Sequence, residues 1–202
     1  MRKSLFILLI VLFILQPVFA QRSSETFKRF GFKAGVTVSN LNFNKGIPPP
    51  SSPVTPSWKT GINVGFLLHV PVIADLSIQS EYSFSHIMGE DKSTETKYRL
   101  NYLSMPVLLN YKVSKKFSVE AGPEVDLLIN AKKQIGATSS NITHDTEERN
   151  FGIAAGVEYE LIKSISLNAR YLHGLNHIGI GQRSDVKEFK LEQFLLTTLI
   201  RF

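Results

Sequence analysis

Alternation of apolar and polar residues at every second position is the feature that most constrains this chain. A period of two is typical of β-strands, because successive side chains of a strand point to opposite faces of the sheet. The alternation recurs in eight runs, which predict eight strands. They cover residues 30–39, 58–70, 76–85, 98–111, 117–130, 151–160, 165–171 and 194–202.

Most of these runs are about ten residues long, which is the length that a tilted strand needs to cross a bilayer. Long connections are expected at residues 42–57, 87–97, 132–149 and 175–188, and short turns at 71–75, 112–116 and 162–164. An even number of strands, with short turns at one end and long loops at the other, is typical of bacterial outer-membrane barrels. The sequence therefore predicts an all-β fold, an eight-stranded antiparallel up-and-down transmembrane β-barrel.

A soluble β-sandwich would alternate in the same way, so alternation alone does not decide between the two folds. Strand length favours the barrel, because strands of globular sheets usually have five or six residues. Aromatic residues near the ends of the runs, such as Phe30, Trp58 and Tyr111, are typical of interfacial girdles. In hydrocarbon every backbone polar group must be paired within the sheet, and the sheet then has to close on itself.

The fourth run changes its parity. Tyr98, Leu100 and Tyr102 keep one parity, whereas the apolar residues from Leu103 to Tyr111 keep the other. A β-bulge at residues 101–103 would produce such a shift, and we predict one there.

The first twenty residues are typical of a secretory signal peptide. Arg2 and Lys3 form a basic start, residues 5–15 are apolar, and small residues precede the expected cleavage site before Gln21. A retained anchor is the alternative, but this apolar run is short for a bilayer about 30 Å thick. We predict a signal peptide at 1–20 that is removed on export, a short lead at 21–29 and a barrel domain at 30–202, located in the bacterial outer membrane.

Charge and cysteine content exclude several classes of protein. Removal of Arg2 and Lys3 with the leader lowers the formal net charge from +6 to +4. Basic residues are not interleaved with aromatic ones in a stripe, so we expect no nucleic-acid partner. The chain contains no cysteine, which excludes disulfides and a lipid-modified N-terminal cysteine.

Charged residues of both signs lie on the polar faces of the predicted strands. An eight-stranded barrel is only wide enough for its own side chains to fill it, and buried charges are costly unless they are paired. We therefore predict that Arg170 bridges at least two of Glu81, Glu124 and Asp126 and that the lumen is closed. The full predicted lumen charge network consists of Lys33, Lys59, Glu81, Glu120, Glu124, Asp126, Glu158 and Arg170.

Catalysis is a weaker interpretation of the same residues. The carboxylates of Glu120, Glu124 and Asp126 share one strand face and could perform acid–base chemistry. The stretch from Arg170 to His177 is similar to the R-x-x-H-x-S-N signature of outer-membrane lipid A deacylases, but Leu175 occupies the position of the nucleophilic serine. We expect no enzymatic activity, no catalytic residues, no metal and no cofactor.

The end of the chain, LLTTLIRF, has its apolar residues on alternate positions and ends on an aromatic. This pattern resembles the C-terminal signal that is read by the outer-membrane assembly machinery. Phe194, Leu196, Ile200 and Phe202 are the predicted signal residues. The expected partners are this barrel-assembly machinery together with outer-membrane lipid and lipopolysaccharide.

Five stretches, taken in order, resemble the outer-membrane β-barrel proteins of the Bacteroidetes type, often called the PorT-like family. They are FGFKAGVTVSNLNF, YLSMPVLLNYKV, FSVEAGPEVDLLI, FGIAAGVEYEL and RYLHGLNHI, and the most specific segments are L-x-M-P-V-L-L-x-Y at 103–111 and Y-x-x-G-L-x-x-I at 171–178. The resemblance implies an eight-stranded outer-membrane barrel without a single assigned activity. One member serves a secretion system that exports surface proteins.

We accordingly expect a non-enzymatic barrel with a structural or interaction role and a charge-plugged lumen. The alternatives are an accessory barrel of a protein-secretion system, with secretion proteins as partners, a narrow porin-like pore, and a lipid-modifying outer-membrane enzyme.

Overall fold

The computed structural model describes residues 30–46, 55, 57–92, 94–146, 148–179 and 188–202. The predicted signal peptide and lead, at 1–20 and 21–29, lie outside these residues. None of the helical segments found in the described ranges has the length and apolar character that a membrane crossing requires.

The described chain folds into one antiparallel sheet. Its strands are β1 (Phe30–Asn42), β2 (Lys59–Ile73), β3 (Leu76–Asp91), β4 (Thr96–Lys112), β5 (Phe117–Ile135), β6 (Thr138–Asn141), β7 (Arg149–Ile162), β8 (Ile165–Gly174) and β9 (Lys190–Arg201). The long strands pair in chain order, β6 only extends the far end of β5, and β1 pairs with β9. Eight strands therefore close into a barrel, and the predicted fold class is confirmed.

Short turns and the two ends of the barrel domain lie at the same rim. The turns comprise residues 74–75, 113–116 and 163–164. At this rim the backbone N–H of Phe202 donates a hydrogen bond to the carbonyl oxygen of Phe30 at 3.0 Å. Since short turns of bacterial barrels face the periplasm, we call this rim the periplasmic end and the opposite rim the extracellular end.

Two of the predicted long loops contain strand over at least half of their residues. β3 continues to Asp91 and β4 starts at Thr96, so only residues 92–95 connect them instead of 87–97. β5 continues to Ile135 and pairs with β6, so residues 132–135 and 138–141 were also wrongly predicted as loop. The strands extend because inward-facing residues such as Ile87 and Tyr98 are buried in an apolar cluster inside the extracellular end.

The outer wall carries the large apolar side chains that alternation predicts. They are 37–63% exposed, and they include Phe30, Phe32, Val36, Ile62, Val64, Phe66, Ile78, Tyr82, Phe84, Val107, Leu109, Leu127, Ile129, Ile153, Leu167, Leu196 and Ile200. In water such an exposed apolar surface would be unfavourable, whereas in lipid it is the surface that the hydrocarbon requires. We call it the apolar band.

The predicted irregularity in the fourth run lies at the expected height but on the neighbouring strand. Asn101 pairs with Asn130 and Tyr102 pairs with Leu128, so the extra residue is Ile129 of β5. β4 keeps one parity throughout, and its even-numbered residues point inward. The prediction of a parity change in β4 was wrong. The apolar residues of this strand change parity because the interior is apolar near the extracellular end and polar farther along, so the inward positions carry apolar residues first and polar residues later.

The interior has two layers. Toward the extracellular end, fully or nearly fully buried apolar side chains pack into one cluster, and we call it the upper cluster. It consists of Leu41, Phe43, Ile87, Tyr98, Leu100, Tyr102, Leu108, Ala131, Ile142, Ala154, Leu172, Ile178, Phe189, Leu191 and Leu195. Toward the periplasmic end the interior is mainly polar and charged, although Leu67 and Leu199 are also buried there and Leu195 of the cluster lies beside Arg170.

Candidate functional site in the barrel lumen

A glycine in the wall allows the main contact of the lumen to form. Glu120 of β5, Gly156 of β7 and Arg170 of β8 lie in one row across three adjacent strands. A Cβ atom at Gly156 would lie 2.6 Å from the carbonyl oxygen of Ala169 and 3.1 Å from Oε1 of Glu120. Without that atom, Arg170 can extend across β7 to Glu120.

Arg170 binds two carboxylates from different walls of the barrel. Its Nε donates a hydrogen bond to Oε1 of Glu120 at 2.7 Å. Its Nη1 and Nη2 donate to Oε2 and Oε1 of Glu81, on β3, at 2.9 and 2.7 Å. The planar guanidinium thus binds Glu81 with the two-pronged geometry that arginine forms with carboxylates.

Neighbouring side chains complete the charge balance. The ammonium of Lys33 donates to Oε2 of Glu81 at 2.5 Å, and Gln79 donates to Oε1 of the same residue at 2.7 Å. Asn168 donates to Oε1 of Glu120 at 2.8 Å. We call Lys33, Glu81, Glu120 and Arg170 the central network. All four residues are at most 3% exposed, and their two positive and two negative formal charges cancel.

Glu124 and Asp126 are buried outside the direct reach of Arg170. They lie farther along β5 toward the extracellular end, and Asn150 donates to Oδ2 of Asp126 at 2.7 Å. Among the described residues, Oε2 of Glu124 has no hydrogen-bond partner. The prediction that Arg170 bridges two of Glu81, Glu124 and Asp126 was wrong, because the row of Gly156 brings Glu120 to the guanidinium instead.

Lys59 does not belong to this network. Its ammonium forms an ion pair with Glu90 near the extracellular rim, and its side chain is 36% exposed. Its assignment to the lumen charge network was wrong, since β2 begins at Lys59 and the residue therefore lies at the end of the strand rather than within it.

Glu158 forms a separate pair near the periplasmic end. Arg201 donates to its two carboxylate oxygens at 2.5 and 2.8 Å, and it also donates to Gln79 at 2.7 Å. The sequence reasoning missed Arg201. Arg201 has an odd number, as do Gln193 and Thr197, which are buried on the inward face of β9. This parity is the signal that could have placed Arg201 inward.

The periplasmic end opens into a recess with a volume of about 560 Å³. Its walls include His69, Asn110, Glu158, Lys163 and Arg201. The central network and the upper cluster lie between this recess and the extracellular rim. In the upper cluster, the rings of Phe43 and Phe189 are 5.4 Å apart, and those of Phe43 and Tyr98 are 5.6 Å apart.

Three residues of the predicted assembly signal lie on the outer face of β9, and the fourth, Phe202, directly follows this strand. Phe194, Leu196, Ile200 and Phe202 are between 46% and 63% exposed. Phe194 contacts Tyr171 with a ring separation of 4.7 Å, and Phe202 contacts Phe32 at 5.7 Å.

The deacylase-like stretch lacks the serine that the signature uses as its nucleophile. Leu175, in the position of the serine, is 49% exposed and directly follows the extracellular end of β8. Across the part of the chain that the structure describes, no three His, Asp or Glu side chains are grouped so as to hold a metal ion.

A closed eight-stranded barrel with an apolar outer band and a charged interior defines an integral protein of the bacterial outer membrane. The family model described as "Outer membrane protein beta-barrel domain" matches residues 19–179. The chain belongs to this family.

Solved outer-membrane barrels share the fold. Neisserial surface protein A (NspA) is similar at 14% identity and a TM-score of 0.56, over 86% of this chain and 97% of that one. Ail, the attachment invasion locus protein of Yersinia pestis, is similar at 13% identity and a TM-score of 0.53, over 87% of this chain and 99% of that one. No curated protein matches the chain significantly.

Proposed function

We propose that this protein is a closed, non-enzymatic outer-membrane barrel that acts through its surfaces, in a structural or interaction role. The carrying observation is that Arg170 joins Glu81 and Glu120 across the lumen, in a network at most 3% exposed. A charged plug of this kind occupies the space that a pore would need.

The energetics of the central network favour a permanently closed state. Each ion in the network has lost its water, and separating the partners without rehydrating them is strongly unfavourable. An ion that crossed the barrel would have to break the contacts of Arg170 with Glu81 and Glu120 and then pass the upper cluster, which offers mainly apolar side chains. Both barriers oppose conduction.

A closed interior leaves the exposed ends and the outer wall for function. The paired ends of β3 and β4, and of β5 and β6, extend beyond the apolar band at the extracellular end. They are rigid β-structure rather than loop, and they therefore present a fixed surface to a partner.

Within its family, we assign the chain to the Bacteroidetes type on the segments at 103–111 and 171–178. Export through a cleaved signal peptide at residues 1–20 belongs to the same proposal. Recruitment by the barrel-assembly machinery would use the outer face of β9.

A solute-flux assay tests the closed state. The protein, refolded into liposomes loaded with a small sugar, should release no more sugar than protein-free liposomes do. A matched large-pore porin confirms that the assay detects a channel. Release that scales with the amount of folded barrel contradicts the proposal.

A further inference from the structure

The outer wall of β3, β4 and β5 shows a sharp change of chemistry from row to row. Phe84, Leu103 and Leu127 form one cross-strand row at the top of the apolar band. In the next row outward, His86, Asn101 and Asn130 lie side by side, and hydrogen bonds of 2.6 and 2.8 Å connect them. Such a polar row marks the upper boundary of the hydrocarbon.

One row farther out, two cations face each other. Arg99 of β4 is directly opposite Lys132 of β5, and both side chains are exposed. The distance along a strand from one row to the next is about 7 Å. Arg99 and Lys132 therefore lie just above the hydrocarbon, at the depth of lipid phosphates.

Like charges that are directly opposite on adjacent strands destabilise a sheet unless something neutralises them. Within the described chain, no acidic side chain forms an ion pair with Arg99 or Lys132. Gln134 accepts a hydrogen bond from Nη2 of Arg99 at 3.0 Å, which orients the guanidinium without neutralising it. Lys97, in the following row, is also exposed, but it lies directly opposite Glu90 of β3.

We propose that Arg99 and Lys132 form a binding site for a phosphate group of an outer-leaflet glycolipid of the lipid A type. An arginine fork and an ammonium together give a phosphate strong charge-assisted hydrogen bonds. The acyl chains of the same lipid lie against Leu127 and Ile129 directly below, which are 37% and 51% exposed. A free phosphate or an acidic peptide would leave that apolar surface unused.

The test is a binding isotherm by native mass spectrometry on the full folded barrel in detergent. The probes are bisphosphorylated lipid A, the same lipid after enzymatic dephosphorylation, and inorganic phosphate. The double variant Arg99→Gln/Lys132→Gln is compared with Lys115→Gln/Lys116→Gln, which removes the same charge from the exposed periplasmic turn. Arg99→Lys/Lys132→Arg keeps both charges and serves as a second control.

We expect the wild type, the turn variant and the charge-retaining variant to bind bisphosphorylated lipid A, and the Arg99/Lys132 glutamine variant to bind it at least about tenfold more weakly. Dephosphorylated lipid A should bind the wild type as weakly as that variant binds the intact lipid. Equal affinities of the two glutamine variants, or of the two lipids, would overturn the proposal. Inorganic phosphate that competes at the concentration of the lipid would also overturn it, because the site would then recognise any anion.

Discussion

Arg170 and Glu81, 89 residues apart in the chain, are joined inside the barrel by two parallel hydrogen bonds of 2.7 and 2.9 Å. The pair links strands β8 and β3, which are not neighbours in the sheet. It therefore crosses the lumen instead of following the wall, and Lys33 and Glu120 bind the two members of the pair there.

Removal of the guanidinium should destabilise the barrel strongly. Arg170→Ala leaves Glu120 without its cation and Glu81 with only Lys33, and breaking a buried pair in this way costs roughly 3–5 kcal/mol. Urea unfolding of the refolded barrel in lipid measures the loss. Lys163→Ala, in the exposed periplasmic turn, should change the free energy of unfolding by less than about 0.5 kcal/mol. If the Arg170→Ala variant is as stable as the Lys163→Ala variant, the central network does not stabilise the barrel as described.

Position 156, which lies beside Arg170 on the neighbouring strand β7, should require glycine. A Cβ at residue 156 would lie too close to the backbone of Ala169, and a larger side chain would also occupy the path of Arg170 to Glu120. We expect Gly156→Val to lower the free energy of unfolding by about 1–3 kcal/mol, the usual cost of overpacking. Gly136→Asn is the control, because Gly136 has a φ of 56° with open space around it, a conformation that asparagine tolerates. Equal stability of the two variants would argue against this account of the wall.

The outer face of β9 should matter for assembly beyond its contact with lipid. Phe202→Asp and Phe30→Asp each replace an exposed aromatic at the same rim, Phe30 at the start of β1 and Phe202 directly after its partner strand β9. If β9 is the segment that the assembly machinery reads, Phe202→Asp should lower the amount of assembled barrel in cells several-fold more than Phe30→Asp. Heat-modifiable migration on gels measures the assembled fraction. The same loss in both variants would mean that the rim, not β9, is what matters.

One ion pair outside the bilayer should respond to pH. Glu90 lies above the apolar band, and the hydrogen bond from the Lys59 ammonium holds the pKa of Glu90 below its ordinary value. Because this pKa is lower in the folded state, the contribution of the pair to stability is present above the ordinary glutamate range and is lost as the pH falls through the lowered value. The contribution is small, since the pair is solvated.

An NMR titration of the Glu90 carboxyl carbon checks this prediction. In Lys59→Met the midpoint should move upward, because the hydrogen bond from Lys59 is the largest influence that lowers the pKa of Glu90. Identical midpoints in the variant and the wild type would show that Lys59 does not contact Glu90 in solution.

The period-two alternation predicts most of the barrel because lipid enforces it. On β1, the outward Phe32 and Val36 and the inward Lys33 lie where their parity predicts. The same reasoning fails where the strands leave the bilayer. Above the apolar band the outer face becomes polar, as with Arg99, while Tyr98 and Leu100 point inward, so the pattern inverts although the strand continues.

Which charged side chains pair with each other inside the lumen was harder to predict from the sequence. Parity identified Glu81, Glu120 and Arg170 as inward, but it does not give the heights at which strands align. Those heights depend on the register of the whole sheet, which places Glu120 beside Gly156 and Arg170 and moves Glu124 away. Register also explains the misplacement of Lys59, which alternation alone could not distinguish from an interior cation.

Planar-bilayer recording tests the central claim, a lumen closed by the central network, most directly. The wild-type barrel, shown to be folded by its heat-modifiable migration, should give no steady conductance at applied voltages at which open porins conduct. Clear ohmic channels whose number rises with the amount of folded protein would contradict a plugged lumen.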